Sequence, residues 1–357
     1  MKAYYLVFFI MFIVSLFYNA KTDKQWRWKL FWTFLPLFIY AAIRVDYGND
    51  YMTYSDYFYT FHNSSWAFDT DSHAEIGYQL LNKIMPSFRS ILVLGALLLC
   101  LSLGVFCYHI IPRNYLWLAV ILIFLNPEKN IFGTLVGIRN GFVVSSFLLC
   151  FLLIQKRTWM PYFVITALLS FIHTSALFFM PVAYILGYST PFKKREIWIW
   201  VGMAFVLLFF SMTQLAQYFT FFINNEIFNR YEAIIEMELQ RGVLITLVSI
   251  VNIFFFIRYF MERGSSLDMK ENSLLRIGIL YSVMFFFGSL SARSSYYLDM
   301  FYIGSVIMIF NDKKMDSIFR YAVLALAIIT SYYSMFHVWM GAPSWNHEIY
   351  HSLLGSW

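Results

Sequence analysis

Apolar runs of about 17 to 25 residues, joined by short polar segments, recur along the whole chain. At 1.5 Å of rise per residue, about 20 residues cross a hydrocarbon core. The pattern predicts an all-α polytopic membrane protein forming a single transmembrane domain over 1–357. About twelve membrane-entering helices start near residues 3, 28, 91, 115, 131, 159, 174, 197, 242, 274, 296 and 319. The first run, Ala3 to Tyr18, ends without the small-residue pattern of a cleavage site and reads as a retained helix.

The stretch 159–187 has basic residues at both ends, Lys156/Arg157 and Lys193 to Arg195, so it must enter and return. It is too short for two full spans of about 20 residues each. A broken or re-entrant helix pair meeting around His173-Thr174-Ser175 is expected, with His173 on the floor of a cavity. Two loops are long enough to fold on the membrane. Loop 44–90 carries an apolar helical face of Ile76, Leu80, Leu81, Ile84 and Met85, and loop 216–241 one of Phe228, Tyr231, Ile234, Ile235 and Leu239.

Composition agrees with a bilayer as solvent: 60% of residues are hydrophobic, 22% aromatic and only 13% charged, too few charges for a soluble surface. The net charge of +6 is gathered in short clusters between apolar runs, so it reads as topology and not as a nucleic-acid footprint. Lys21/Lys24/Arg27/Lys29, Arg113, Lys156/Arg157, Lys193/Lys194/Arg195, Arg258/Arg263/Lys270 and Lys313/Lys314/Arg320 fall on one side, which the positive-inside rule makes the cytoplasm. Both termini and loops 44–90 and 216–241 then lie outside. Cys100, Cys107 and Cys150 sit within apolar runs as ordinary thiols. His62, His73, His347 and His351 match no metal template, and no nucleotide loop is present, so neither metal nor cofactor is expected.

Chemistry gathers outside. Arg44-Val45-Asp46-Tyr47-Gly48-Asn49-Asp50-Tyr51 follows the second helix, and Glu75-Ile76-Gly77-Tyr78 heads the amphipathic helix. Arg139, in Ile138-Arg139-Asn140-Gly141, is placed about 12 Å inside an apolar segment. A guanidinium at mid-bilayer costs at least about 2.5 kcal/mol, so it should face a cavity or an anion. Arg230-Tyr231 and Arg293-Ser294-Ser295-Tyr296-Tyr297 add two more arginines flanked by tyrosines. Arg44, Arg139, Arg230 and Arg293 on one leaflet would suit bidentate binding of a pyrophosphate.

In order and type, these motifs resemble the EpsG/Wzy family of polysaccharide polymerases. Arg44…Gly48-Asn49-Asp50-Tyr51…Tyr54, Glu75-Ile76-Gly77-Tyr78, Ile138-Arg139-Asn140-Gly141, Phe171-Ile172-His173-Thr174-Ser175, Arg230-Tyr231 and Arg293…Tyr297 span most of the chain. Two positions depart: Asn140 stands where the family usually has Gln after the arginine, and Asn49 where its Gly-Thr-Asp motif has threonine. The resemblance implies a GT-C-like fold in the bacterial inner membrane. It also implies metal-independent, inverting transfer of a growing glycan from undecaprenyl pyrophosphate onto the next lipid-linked repeat unit, on the periplasmic face. Undecaprenyl-pyrophosphate-linked oligosaccharides, the bilayer and a chain-length regulator are the implied partners. His173 is the candidate base, with Asp50 or Glu75 as alternatives. Arg139, Arg293, Arg44 and Arg230 would hold pyrophosphate, and Tyr51, Tyr54, Tyr78 and Tyr297 would meet glycan. A lipid-linked oligosaccharide flippase or transporter, an O-antigen ligase-like transferase and a membrane acyltransferase are the rival readings.

Overall fold

The computed structural model describes residues 2–48, 50–64, 68–69, 72–126, 128–188, 193, 195–202, 242–286, 289–341, 351–352 and 355–356. These residues are all but entirely helical. The exceptions with regular pairing are two antiparallel two-residue strands, His351–Ser352 and Gly355–Ser356, and an isolated bridge between Arg44 and Ser352. The chain forms two compact units, Met1–Ile185 with Ser331–Trp357, and Leu186–Thr330.

In the first unit, α1 (Lys2–Phe17) lies against α2 (Asp23–Ile43), and α2 packs along α5 (Phe88–Ile110). A capping box starts α2: the Thr22 hydroxyl accepts from the Gln25 N–H while the Gln25 side chain reaches back to the Thr22 N–H. Between α2 and α5 stand two short helices, α3 (Tyr51–His62) and α4 (Ile76–Ile84). After α5 come α6 (Leu116–Leu125), a π-helical turn (Glu128–Phe132), α7 (Gly133–Val136) and α8 (Ile138–Gln155). The Tyr4 hydroxyl donates to the Phe124 carbonyl at 2.9 Å, pinning α1 to α6. Two twelve-residue helices follow, α9 (Trp159–Ser170) and α10 (Ala176–Gly187), joined through the turn at 171–175. The Tyr162 hydroxyl donates to the Met180 carbonyl at 2.7 Å and ties the pair together.

Among the described residues, α5 and α8 are long and apolar enough to cross a membrane, by length and composition. The stretches Arg113–Leu125 and Asn130–Val136, bent by 87° at their junction, qualify together as a third span. The segment expected to run unbroken from residue 131 is itself divided at Gly137, between α7 and α8, and Arg139 sits in the first turn of α8 instead of two turns along a helix. The glycines explain the break. A side chain at Gly141 would meet the Thr134 carbonyl at 2.1 Å, so α8 starts hard against the backbone of α7.

Helix α4 is amphipathic in an unexpected sense. Part of its apolar strip stays exposed (Ile76 45%, Leu80 38%, Ile84 63%) while Leu81 and Met85 pack against the neighbouring cluster, and Tyr78, Gln79 and Asn82 are buried. Tyr78 joins Tyr54, Phe58 and Phe61 of α3, Phe88 and Ile91 of α5, and Ile138 and Phe142 of α8 in one cluster, with Ile172 against it. That cluster seats the 44–90 region on the bundle. Loop 216–241 lies outside the described residues.

The second unit contains α11 (Gly242–Arg263), α12 (Met269–Phe286), α13 (Ser289–Asn311) and most of α14 (Ser317–Gly341). Helices α12 and α13 run in close contact where Gly278 faces Ser305, whose hydroxyl donates to the Leu274 carbonyl at 3.1 Å. Buried Arg276 is held by both Glu196 oxygens at 2.9 Å, and Asp312 accepts from Arg263 at 2.8 Å and from the Tyr259 hydroxyl at 3.0 Å.

Candidate functional site: a carboxylate between an arginine and a histidine

Three motifs far apart in sequence meet at Glu75. Its carboxylate pairs with the Arg139 guanidinium, lies 3.0 Å from His173 Nδ1, and accepts from the Thr174 N–H at 3.2 Å. Glu75 stands at the N-cap position of α4, Arg139 comes from the first turn of α8, and His173 from the turn between α9 and α10. Gly77 brings two of these segments together. Its N–H donates to the Phe171 carbonyl at 2.7 Å, and a Cβ there would stand 2.6 Å from that oxygen. Only the residue without a side chain allows this approach.

The three side chains are mostly but not wholly covered: 17% of Arg139, 17% of Glu75 and 19% of His173 remain accessible. Burial works against the charge of Glu75. The His173 hydrogen bond, the Arg139 charge and the N–H groups of Glu75 and Thr174 outweigh it, and hold the carboxyl at about 2 against an ordinary 4.5. Since a carboxylate only accepts, Nδ1 of His173 carries a proton toward Glu75, and Nε2 is the ring nitrogen left to other partners. The arrangement has the form of a base oriented by an acid.

Arg139 is also fixed from other sides. Its Nη1 donates to the His73 carbonyl at 2.7 Å, and its guanidinium carbon stands 5.9 Å and 6.0 Å from the ring centroids of Tyr54 and Tyr78. Its Nε is buried with no acceptor among the described residues. Gln79, which sequence reading passed over, holds the preceding loop. It accepts from the Asp69 N–H at 2.9 Å and donates to the Asp69 and Ala74 carbonyls at 2.7 and 2.8 Å. Its position one helical turn after Glu75 is the signal that could have marked it.

The remaining candidates are placed as follows. Asp50 precedes α3, one turn before Tyr54, and Tyr51 sets its ring edge-on to Phe88 at 5.3 Å. Tyr54 is 7% exposed and Tyr78 fully buried, their rings edge-to-face at 5.7 Å. Arg44 is 3% exposed and donates to the carbonyls of Ala41 and Leu135, while Arg89 donates to those of Ala42 and Arg44. In the second unit, Tyr297 is buried in α13. Arg293 belongs to the same helix, but its side chain and all of Arg230 lie outside the described residues. No group of three or more metal-ligating side chains occurs among the described residues.

Membrane-length apolar helices, with an Arg139–Glu75 ion pair hydrogen-bonded to a histidine, define the class as a helical membrane protein with a built polar centre. The chain belongs to the EpsG family, whose model matches residues 27–351. Membership points to polysaccharide polymerisation, an activity of glycosyltransferase type. No curated protein and no solved structure matches the chain.

Proposed function

We propose that the protein joins undecaprenyl-pyrophosphate-linked oligosaccharide repeat units into O-antigen, capsule or exopolysaccharide on the periplasmic face of the inner membrane. The observation that carries this reading is the convergence of Glu75, Arg139 and His173 from three separate segments. In the proposed step, an acceptor hydroxyl of the incoming unit attacks the anomeric carbon of the growing chain. Its proton passes to Nε2 of His173, while Glu75 stabilises the imidazolium through Nδ1. The bond from the anomeric carbon to the pyrophosphate oxygen breaks, and the electron pair leaves with undecaprenyl pyrophosphate. Attack opposite the leaving group inverts the anomeric centre. Arg139, with donors left over from Glu75 and His73, neutralises the leaving group without a metal; Arg293 and Arg230 are further candidates on sequence grounds.

Within this scheme Tyr54 and Tyr78 brace Arg139, Tyr51 remains a candidate for glycan contact, Tyr297 is buried and drops out of that role, and Asp50 is a second acidic group nearby in sequence. Arg44 serves as a strut. The exposed apolar strip of α4 would rest on the bilayer and set the height of Glu75. The wider architecture we infer is GT-C-like, with about twelve membrane-entering segments; a chain-length regulator is the natural protein partner.

The test is surface-glycan length, read by gel laddering in a host deleted for the gene and complemented at matched protein levels. Long chains restored by wild type, with single repeats in Arg139→Ala and His173→Ala, support the assignment. Complete loss of surface glycan in the deletion, with lipid-linked units trapped inside, would make the protein a flippase and end the polymerase reading.

A further inference from the structure

The start of α2, remote in sequence from the Glu75 cluster, builds a second feature that polymerisation does not use. Lys24, Arg27, Trp28 and Phe31 line an open surface cavity of ≈ 590 Å³. Their spacing of three, four and seven stacks them on one face of the helix. The two cations occupy the first turns and the aromatic rings follow toward the apolar middle, so that Lys24 to Phe31 spans about 10 Å along the axis.

The cavity is rigidly framed. The capping box fixes the first turn, and the Arg27 guanidinium stands 5.7 Å from the ring centroid of Tyr108 on α5. Asp23, the acidic residue of that turn, is ion-paired with Arg113, so its charge is engaged beside the two cations. Trp28 stacks on Trp32 at 6.4 Å and meets Phe31 edge-on at 5.6 Å. All three nevertheless leave about half their surface uncovered, at 47%, 46% and 50% respectively.

Two cations above a half-covered aromatic wall fit a molecule with an anionic head and an apolar tail. The geometry points to a seat for an anionic glycerophospholipid of the surrounding bilayer, its phosphate between Lys24 and Arg27 and an acyl chain along Trp28 and Phe31. A zwitterionic lipid offers the rings the same chain but gives the cations no net charge, so the site selects by headgroup.

Brominated lipids test this, because bromine quenches tryptophan on contact. The full-length protein is reconstituted in phosphatidylcholine with brominated phosphatidylglycerol or brominated phosphatidylcholine as the probe. The Trp28 signal is taken as the difference between wild type and Trp28→Phe. Quenching of Trp28 by the anionic probe at several-fold lower mole fraction is expected, with the preference falling about fivefold for either Lys24→Gln or Arg27→Gln. The distant pair Lys313→Gln/Lys314→Gln should leave it unchanged. Equal quenching by both probes, or an equal loss in the distant pair, would overturn the site. So would displacement of the signal by a polyprenyl phosphate that phosphatidylglycerol cannot match. Unchanged melting temperatures keep the variants comparable, since both cations are exposed.

Discussion

Replacing Glu75 by Gln removes one charge and keeps nearly the same shape. The amide oxygen can still accept from His173 Nδ1 and the Thr174 N–H, but the amide NH₂ then faces the Arg139 guanidinium, donor against donor. The drop of the carboxyl from 4.5 to about 2 corresponds to at most about 3 kcal/mol of stabilisation. Partial exposure of all three side chains brings the expected loss in Glu75→Gln to about 1–2 kcal/mol. Because the folded value lies below the unfolded one, this contribution is fully present above pH 4.5 and disappears as pH falls toward about 2. Thermal melts of wild type and variant in detergent should therefore converge on acidification through that window. Activity should suffer more than stability. A carboxylate that orients a histidine and stabilises its cation contributes up to about 10⁴-fold in a hydrolytic triad, so a fall of about 100-fold or more in chain extension is expected. The assay is the initial rate of extension of purified lipid-linked repeats, beside the glycan ladder in cells. Wild-type rate and ladder length in Glu75→Gln at matched expression would refute the placement of catalysis at this cluster.

Gly77→Ala should separate α4 from the 171–175 turn, because the added methyl meets the Phe171 carbonyl at 2.6 Å. A loss of about 1–3 kcal/mol and a shortened ladder are expected, read by melting and gel. Gly141→Ala places a carbon 2.1 Å from the Thr134 carbonyl and should abolish accumulation of folded protein, measured by size-exclusion of a fluorescent fusion. Arg44→Met leaves the Ala41 and Leu135 carbonyls without their donor, at about 1–3 kcal/mol for each buried group. The melting temperature should fall and Arg44→Lys should recover part of it; a variant with normal stability but no binding of a pyrophosphate probe would instead return Arg44 to the clamp.

The helical, membrane-embedded class was legible because it rests on length and composition, properties carried by every apolar run. The short helices over 159–187 follow from arithmetic as well, since basic residues at both ends leave too little apolar length between them. Other elements escaped. Periodicity marks Ile76, Leu80, Leu81, Ile84 and Met85 as one face but cannot say whether protein or lipid covers it; in this fold Ile76, Leu80 and Ile84 stay exposed while Leu81 and Met85 pack against the cluster. Gln79 and Asn82 lie inside instead, because their amides satisfy backbone groups: Gln79 those of Asp69 and Ala74, Asn82 the Tyr78 carbonyl. The break before α8 was hidden because Gly133, Gly137 and Gly141 are compatible with a continuous apolar segment, and only the approach of Gly141 to the Thr134 carbonyl and of Gly137 to the Gly133 carbonyl gives the last two their meaning.

Arg44 and Arg139 show why arginines alike in sequence part ways in the fold. Both stand at the edge of an apolar run, and both carry more donors than one partner can use. The last carbonyls of a helix have no intrahelical donor. Arg44 lies where the ends of α2 and α7 leave the Ala41 and Leu135 carbonyls in need of one, and its guanidinium is directed to them. Arg139 lies where α8 begins, at the end of a helix whose backbone offers N–H groups instead of carbonyls, so its side chain turns to the Glu75 carboxylate and the His73 carbonyl. The broken span thus does two things at once: it consumes one arginine in mending its own exposed backbone, and it delivers the other to the carboxylate that holds His173.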